Sequence, residues 1–269
     1  LGTVREAPIH PAYRPYAVTV QRLLPLSPHL VRVTFTGDDL TVFGTRGLDQ
    51  RVKLVLPFDD GSLCDLGEHD PAAQRAGDWY ARWRALPHAR RNPFRTYTVR
   101  AIRPDRRQLD IDMVLHEPTP GVDDGPAARW LRRASPGDRL IVIGPDARTA
   151  DLTIGCDWRP GAARHVLLVG DETAVPAICS IIESLDPAVT AQAFIEVASS
   201  ADVQNIVPRG RSRLTWLARD AAPQHAAPHA LRRVHARAPP RQQAARQPPA
   251  HVALQQHGRL EAAHARRLG

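Results

Sequence analysis

Arg95, Tyr97 and Thr98 place a guanidinium, a phenol ring and a hydroxyl within the short stretch Arg95-Thr96-Tyr97-Thr98-Val99-Arg100. On a strand, alternate side chains share a face, so Arg95, Tyr97 and Val99 fall on one side and Thr96, Thr98 and Arg100 on the other. Such a strip suits a flat anionic ligand. Tyr97 can lie against an aromatic ring, Arg95 can neutralise a phosphate as a planar donor fork, and Thr98 can hydrogen-bond a ring nitrogen. An exposed strand carrying Tyr and Thr for their β-propensity reads the same way, so the neighbours must decide.

Two further stretches suit anions. Gly125-Pro126-Ala127-Ala128-Arg129-Trp130 opens a predicted helix running through Arg133. Small residues at a helix start let backbone amides approach an anion, and the positive end of the helix dipole favours it there. An ordinary turn before a surface helix has the same composition. Farther on, the apolar run His165 to Gly170 is the mark of a strand buried on both faces of a parallel sheet. Asp171-Glu172-Thr173-Ala174 follows, then a helix through about Leu185 with Ile178, Ile181, Ile182 and Leu185 at helical spacing, and a second strand over Thr190 to Ala198. Pro176 suits the first helical turn, where a missing amide is no loss. Neither G-x-G-x-x-G nor a Walker lysine is present, and Lys53 is the only lysine in the chain. Strand, tight loop and helix are nonetheless where a dinucleotide sits, beyond the carboxyl ends of parallel strands. Asp171 and Glu172 would repel a pyrophosphate, so they are expected to turn away and leave the contact to Thr173 and the helix amides.

The elements that must position the first stretch read as short antiparallel strands. Ala17 to Leu24 and Leu30 to Phe35 are predicted to be joined by a turn at Pro25-Leu26-Ser27-Pro28; Arg51 to Pro57 and Asp110 to His116 follow the same pattern. Frequent punctuation between short strands points to a small β-barrel. Residues 67–94 are a polar excursion with a short helix over Asp78 to Leu86, whose Trp79, Tyr80 and Trp83 are expected to anchor a surface insertion. The loop from Glu117 to Asp124 precedes the Gly125 helix. Asp157 to Ala163 reads as an interdomain linker.

At 269 residues and 43% hydrophobic content the chain has room for two domains. Its net charge of +8 is concentrated at one end: residues 221–269 hold eight Arg and one acid, Glu261, so the body is almost neutral. Cys64, Cys156 and Cys179 are too widely spaced for a C-x-x-C metal or redox motif, and a reducing cytoplasm is expected. No apolar run reaches the roughly 18 residues of a membrane span. The start, Leu1 to Pro15, lacks a signal-peptide core, and a first residue other than Met suggests a trimmed record or an unusual start codon.

Taken in order, RPYAVTV (14–20), LSPHLVRVTFTGDDL (26–40), RVKLVLP (51–57), WYARWRALP (79–87), RTYTVR (95–100), DMVLH (112–116), GPAARW (125–130), PGDRL (136–140) and LLVGDETAVPAI (167–178) closely resemble the siderophore-interacting proteins, flavin-dependent ferric-siderophore reductases of the ferredoxin-reductase-like group. The resemblance covers about residues 13–217. It implies an antiparallel FAD-binding β-barrel over 13–150, then a Rossmann-like nicotinamide-binding α/β domain, incomplete here, over 160–219. By the same resemblance Tyr97 packs on the isoalloxazine ring, Thr98 lies near the flavin's reactive nitrogen and Arg95 binds the pyrophosphate. Leu115, His116, Gly125, Pro126, Ala127 and Ala128 match the second flavin contact region, and Gly170, Asp171, Glu172, Thr173 and Ala174 match the nicotinamide-dinucleotide loop. The cofactors implied are FAD and NAD(P)H, and the substrate a ferric siderophore. The implied chemistry requires no protein acid, base or nucleophile and no protein-bound metal, because the cofactor carries it. Arg100, Lys53 and Arg129 could attract an acidic ferric chelate, and surface solvation accounts for them equally. A flavin reductase with another acceptor, or a flavin-containing siderophore binder without turnover, would carry the same motifs.

The chain departs from the family after Arg219. Residues 220–269 turn into Ala, Arg, Pro, His and Gln with no aromatic residue after Trp216 and neither strand nor helix period. They are expected to be disordered or aberrant, and the abrupt shift suggests out-of-frame translation of a GC-rich gene. Resequencing the locus checks this, since an uninterrupted frame encoding the same tail refutes it. A basic tail for nucleic acid or membranes would need interleaved aromatics or an apolar helical face, and the tail has neither, so no nucleic-acid partner is expected.

Overall fold

Alternating apolar residues draw the first part of the chain into strands. In the computed structural model, which describes residues 10–116, 124–221 and the backbone of 250–253, the chain divides into two compact units, 1–159 and 160–269. The first holds β1 (Tyr13–Ser27), β2 (Leu30–Thr36), β3 (Arg51–Val55), the helices α1 (Pro71–Ala76) and α2 (Trp79–Ala85), β4 (Phe94–Arg103), β5 (Gln108–Val114), α3 (Pro126–Arg133) and β6 (Arg139–Pro145). Its strands close into a barrel in the order β1-β2-β5-β4-β3-β6, every pairing antiparallel. Val18, Val20, Val33, Phe35, Leu54, Ile111, Met113, Leu140 and Val142 fill it, and α3 lays Trp130 and Leu131 onto the same core. Trp130 stacks on Phe35 with ring centroids 6.4 Å apart.

The predicted turn at 25–28 is misplaced. β1 runs on through Ser27 and reverses at Pro28 and His29. Pro25 faces Val31, and the register breaks between Pro25 and Ser27, so the proline stands at a bulge, where its missing N–H is tolerated. β5 likewise ends at Val114, short of the predicted His116. The loop predicted over 117–124 lies, except for Asp124, outside the described residues.

The aromatics of α2 anchor the insertion as expected. Trp79 and Trp83 pack on Val55, Leu66, Ile141 and Ile143, and the Trp83 indole donates to the Asn92 carbonyl at 2.9 Å. The predicted linker begins inside the first unit: the amides of Asp157 and Trp158 donate to the Asp49 carboxylate at 2.8 and 3.1 Å, and Trp158 is buried.

The second unit contains β7 (His165–Gly170), α4 (Val175–Ser184), β8 (Thr190–Val197), β9 (Arg211–Ala218) and β10 (Ala250–Ala253). They form a parallel sheet in the order β10-β7-β8-β9, with α4 burying every residue from Val175 to Ile182. Sequence periodicity did not single out β9 or β10. β10 lies inside the tail expected to be without structure, so that expectation fails for these four residues. The rest of the tail beyond Ala221 lies outside the described residues. Among the described residues no helix is long and apolar enough to cross a membrane, and no cluster of three metal-ligating side chains occurs.

Candidate functional site

β4 changes partner part-way along its length. Phe94 to Thr98 pair with β3, whereas Val99 to Arg103 pair with β5, and the register shifts between Val99 and Ala101. The β4–β5 ladder therefore stops at Val99 and Ile111, leaving Thr96, Tyr97 and Thr98 unladdered on one edge opposite the end of β5. A free strand edge offers a row of backbone donors and acceptors. Arg100 is the extra residue of the bulge and reaches Asp112 of β5 at 3.7 Å, while Arg32 grips that carboxylate bidentately at 2.7 and 2.8 Å.

At this edge Arg95 is exposed; its guanidinium donates to its own chain at the Phe94 carbonyl, 2.8 Å away, and is given no carboxylate partner among the described residues. Tyr97 is half-buried against the barrel core. Burial pushes its phenol up to about 12, against a smaller opposing pull from the Arg95 charge, so it stays protonated at neutral pH. Thr98 is buried and faces Arg51 of β3. Lys53 donates to Thr96 at 3.2 Å and lies 5.1 Å from the Phe94 ring centre.

Part of the predicted second contact region shares the barrel core with Tyr97. Tyr97, Leu115 and Ala127 all rest on the same core cluster. Leu115 is tied to the β1–β2 turn, its amide donating to the His29 carbonyl at 2.9 Å, and His116 is exposed. Arg132, which sequence reasoning did not single out, clamps the region. It donates to the His116 carbonyl at 2.6 Å and to Asp124 at 2.8 Å, joining the end of β5 to the start of α3. Arg129 donates to the Asp124 carbonyl. No local pattern announces Arg132, because both its partners depend on how the chain returns to the barrel.

α3 begins at Gly125 without a side-chain cap, and a Cβ added there would meet nothing within 4 Å. Pro126 has no N–H, so the first-turn donors are the amides of Ala127 and Ala128, whose small side chains leave room for a ligand. An uncommitted guanidinium, uncapped helix amides, an aromatic face and a free strand edge are a donor set matched to an aromatic ring joined to a pyrophosphate. FAD fits these residues.

The loop after β7 is held by its own acidic side chains. Glu172 does turn aside, onto Arg219, with both its oxygens 2.9 Å from guanidinium nitrogens. Asp171 instead folds back on the loop, accepting the Thr173 amide at 3.0 Å and the Thr173 hydroxyl at 2.5 Å. The amides of Ala174 and Val175 donate to the carbonyls of Asp171 and Glu172, and Pro176 has none. The Thr173 amide and hydroxyl are thus engaged within the loop, because a short Asp side chain two residues before an amide forms its own turn. Arg219 is the cation at this end of the sheet.

Comparison with known proteins places both units. The model of the siderophore-interacting FAD-binding domain matches residues 19–149, and that of the siderophore-interacting protein matches 163–258. The chain belongs to the siderophore-interacting protein family. Its first unit is the family's FAD-binding domain, and the second match runs on through β10. The ferric vibriobactin reductase ViuB of Vibrio cholerae is 32% identical over 196 residues, 72% of this chain and 63% of ViuB. An uncharacterized protein of Mycobacterium tuberculosis is 33% identical over 195 residues, 72% of this chain and 62% of that protein. The chain thus spans about three-fifths of the length of these relatives. Among solved structures, the siderophore-interacting protein SipS of Aeromonas hydrophila superposes with a TM-score of 0.61 at 26% identity, covering 91% of this chain and 85% of SipS.

Proposed function

We propose that this family member is a ferric-siderophore reductase of the cytoplasm that takes electrons from NAD(P)H through FAD and releases Fe(II). The observation that carries the reading is the stop of the β4–β5 ladder at Val99, which leaves Thr96, Tyr97 and Thr98 without a β5 partner beside the exposed Arg95. Relatives named as ferric vibriobactin reductase and ferric acinetobactin reductase support the choice of substrate class. Bound FAD would supply the conversion of a two-electron hydride into single electrons for chelated Fe(III).

The chain's own part is binding, orientation and electrostatics. Arg95 neutralises the pyrophosphate together with the Ala127 and Ala128 amides, and Gly125 and Pro126 leave their approach open. Tyr97 lies against the flavin ring with its phenol protonated, Thr98 lies near the ring's reactive nitrogen, and Leu115 and His116 border it. Gly170 to Ala174 lie at the nicotinamide-dinucleotide end, in a second domain spanning 160–219 after a flavin domain of 13–150. Cys64, Cys156 and Cys179 are free thiols, which suits a reducing compartment.

The test is anaerobic. Purified protein should carry or take up FAD, show a flavin spectrum, and bleach on adding NADH or NADPH. A ferric trihydroxamate or ferric tris-catecholate should then restore the colour while a chromogenic chelator captures Fe(II). Protein that stays colourless with added FAD refutes the reading. Bleaching that neither ferric chelate reverses would assign electrons to another acceptor.

A further inference from the structure

Beyond the carboxyl ends of β7, β8 and β9, carboxylates outnumber cations among the described residues. Glu196, next to last in β8, is only 4% exposed, and its Oε1 accepts from Arg219 Nη1 at 3.2 Å. Its Oε2 is buried without a hydrogen-bond partner among the described residues. The Arg219 fork is spent mainly on Glu172, which it binds through both nitrogens at 2.9 Å. Asp171, Glu172, Glu196, Asp202 and Asp220 all lie at or just past these strand ends, and the only cation in segments 171–174, 196–202 and 217–221 is Arg219.

The placement of Glu196 gives this surplus a use. Its strand position is one beyond Ile195, which pairs with Gly170 at the end of β7. β7, α4 and β8 form a βαβ unit, and β10 on the other side of β7 makes the β7 end the point where the strand order reverses. A dinucleotide bound there runs its adenosine ribose past the end of the second strand. A carboxylate at that point accepts the ribose 2′-hydroxyl, whereas a 2′-phosphate requires cations.

We propose that Glu196 makes this chain selective for NADH over NADPH. Its Oε2 accepts the 2′-hydroxyl, and the net negative charge left where Glu196 and Glu172 share Arg219 repels a 2′-phosphate. Arg219, whose side chain is 44% exposed, is the group that yields to admit the ribose. The inference rests on reading this unit as the nicotinamide-dinucleotide site and adds the choice between the two dinucleotides.

Calorimetric titration of the full FAD-loaded chain with ADP-ribose and with 2′-phospho-ADP-ribose tests it without turnover. ADP-ribose should bind at least about tenfold more tightly, the size expected when like charges are juxtaposed. Glu196→Gln should bring the two affinities together. Glu196→Asp, which keeps the charge but shortens the reach, should weaken ADP-ribose while still rejecting the 2′-phosphate. Equal binding, or tighter binding of the phosphorylated ligand by the unaltered chain, overturns the proposal even if neither variant folds. Discrimination that survives Glu196→Gln in full removes Glu196 from the role. If neither ligand binds, the dinucleotide site itself is refuted and the selectivity with it.

Discussion

Arg95 makes no ion pair among the described residues and stands beside the half-buried phenol of Tyr97. If Arg95 meets the flavin pyrophosphate, Arg95→Ala removes charge-assisted hydrogen bonds of about 1.5–3 kcal/mol, or roughly 10- to 150-fold in FAD affinity. Fluorescence titration of FAD against the variant, with its melting temperature as a folding control, checks this; unchanged affinity would place the pyrophosphate elsewhere. Tyr97 makes a second, independent prediction about pH. Burial raises its phenol from 10.0 to about 12 and also raises those of Tyr13 and Tyr16. A folded-state value above the unfolded one means the unfolded chain gives up protons first, so the stabilisation is complete below about pH 10 and is lost as pH rises through the folded values. Tyrosinate absorbance at 295 nm should therefore appear together with loss of folded structure above pH 10; free titration of all the tyrosines near pH 10 with the fold intact would contradict the burial.

Among the elements, the β4–β5 ladder stops at Val99, beside the motif. β4 reads as a strand from its alternation, and Arg95, Tyr97 and Thr98 were legible because a strand's period fixes which side chains share a face. The bulge at Arg100 was not legible, since its partner Asp112 lies on the neighbouring strand β5. Arg132 and Arg219 were invisible for the same reason: each joins segments that only the folded chain brings together. The Asp171 turn that takes up the Thr173 amide and hydroxyl was not read from the sequence, although it is a local one. Two substitutions separate position from stability in α3. Trp130→Ala empties a core site 2% exposed and should cost about 3–5 kcal/mol, lowering the melting temperature by roughly 10 °C. Arg132→Ala removes only the clamp on His116 and Asp124, so FAD affinity should fall about three- to tenfold. Its melting temperature should shift by less than about 4 °C in calorimetry.

For the molecule as a whole, the decisive segment is the one whose sequence says least. Ala250–Ala253 sits in a stretch rich in Ala, Arg and Pro, yet it pairs in parallel with Val166 to Val169 and lies within the span matched to the siderophore-interacting protein model. Four residues without alternation carry no strand signal, so only the neighbour strand can define them. β7 is the apolar strand His165–Gly170, and without β10 its backbone groups on that side become an open edge on an apolar strand. Ending the chain at Ala221 should therefore destabilise the second unit and promote self-association. The barrel closes on its own strands within residues 1–159, so the truncated chain should still bind FAD with the affinity of the full chain. Light scattering with calorimetry follows the first effect, and flavin titration the second. A truncated chain that stays monomeric with both transitions unchanged would show that β10 contributes nothing to the sheet. Loss of FAD binding would show instead that the barrel depends on residues beyond Ala221.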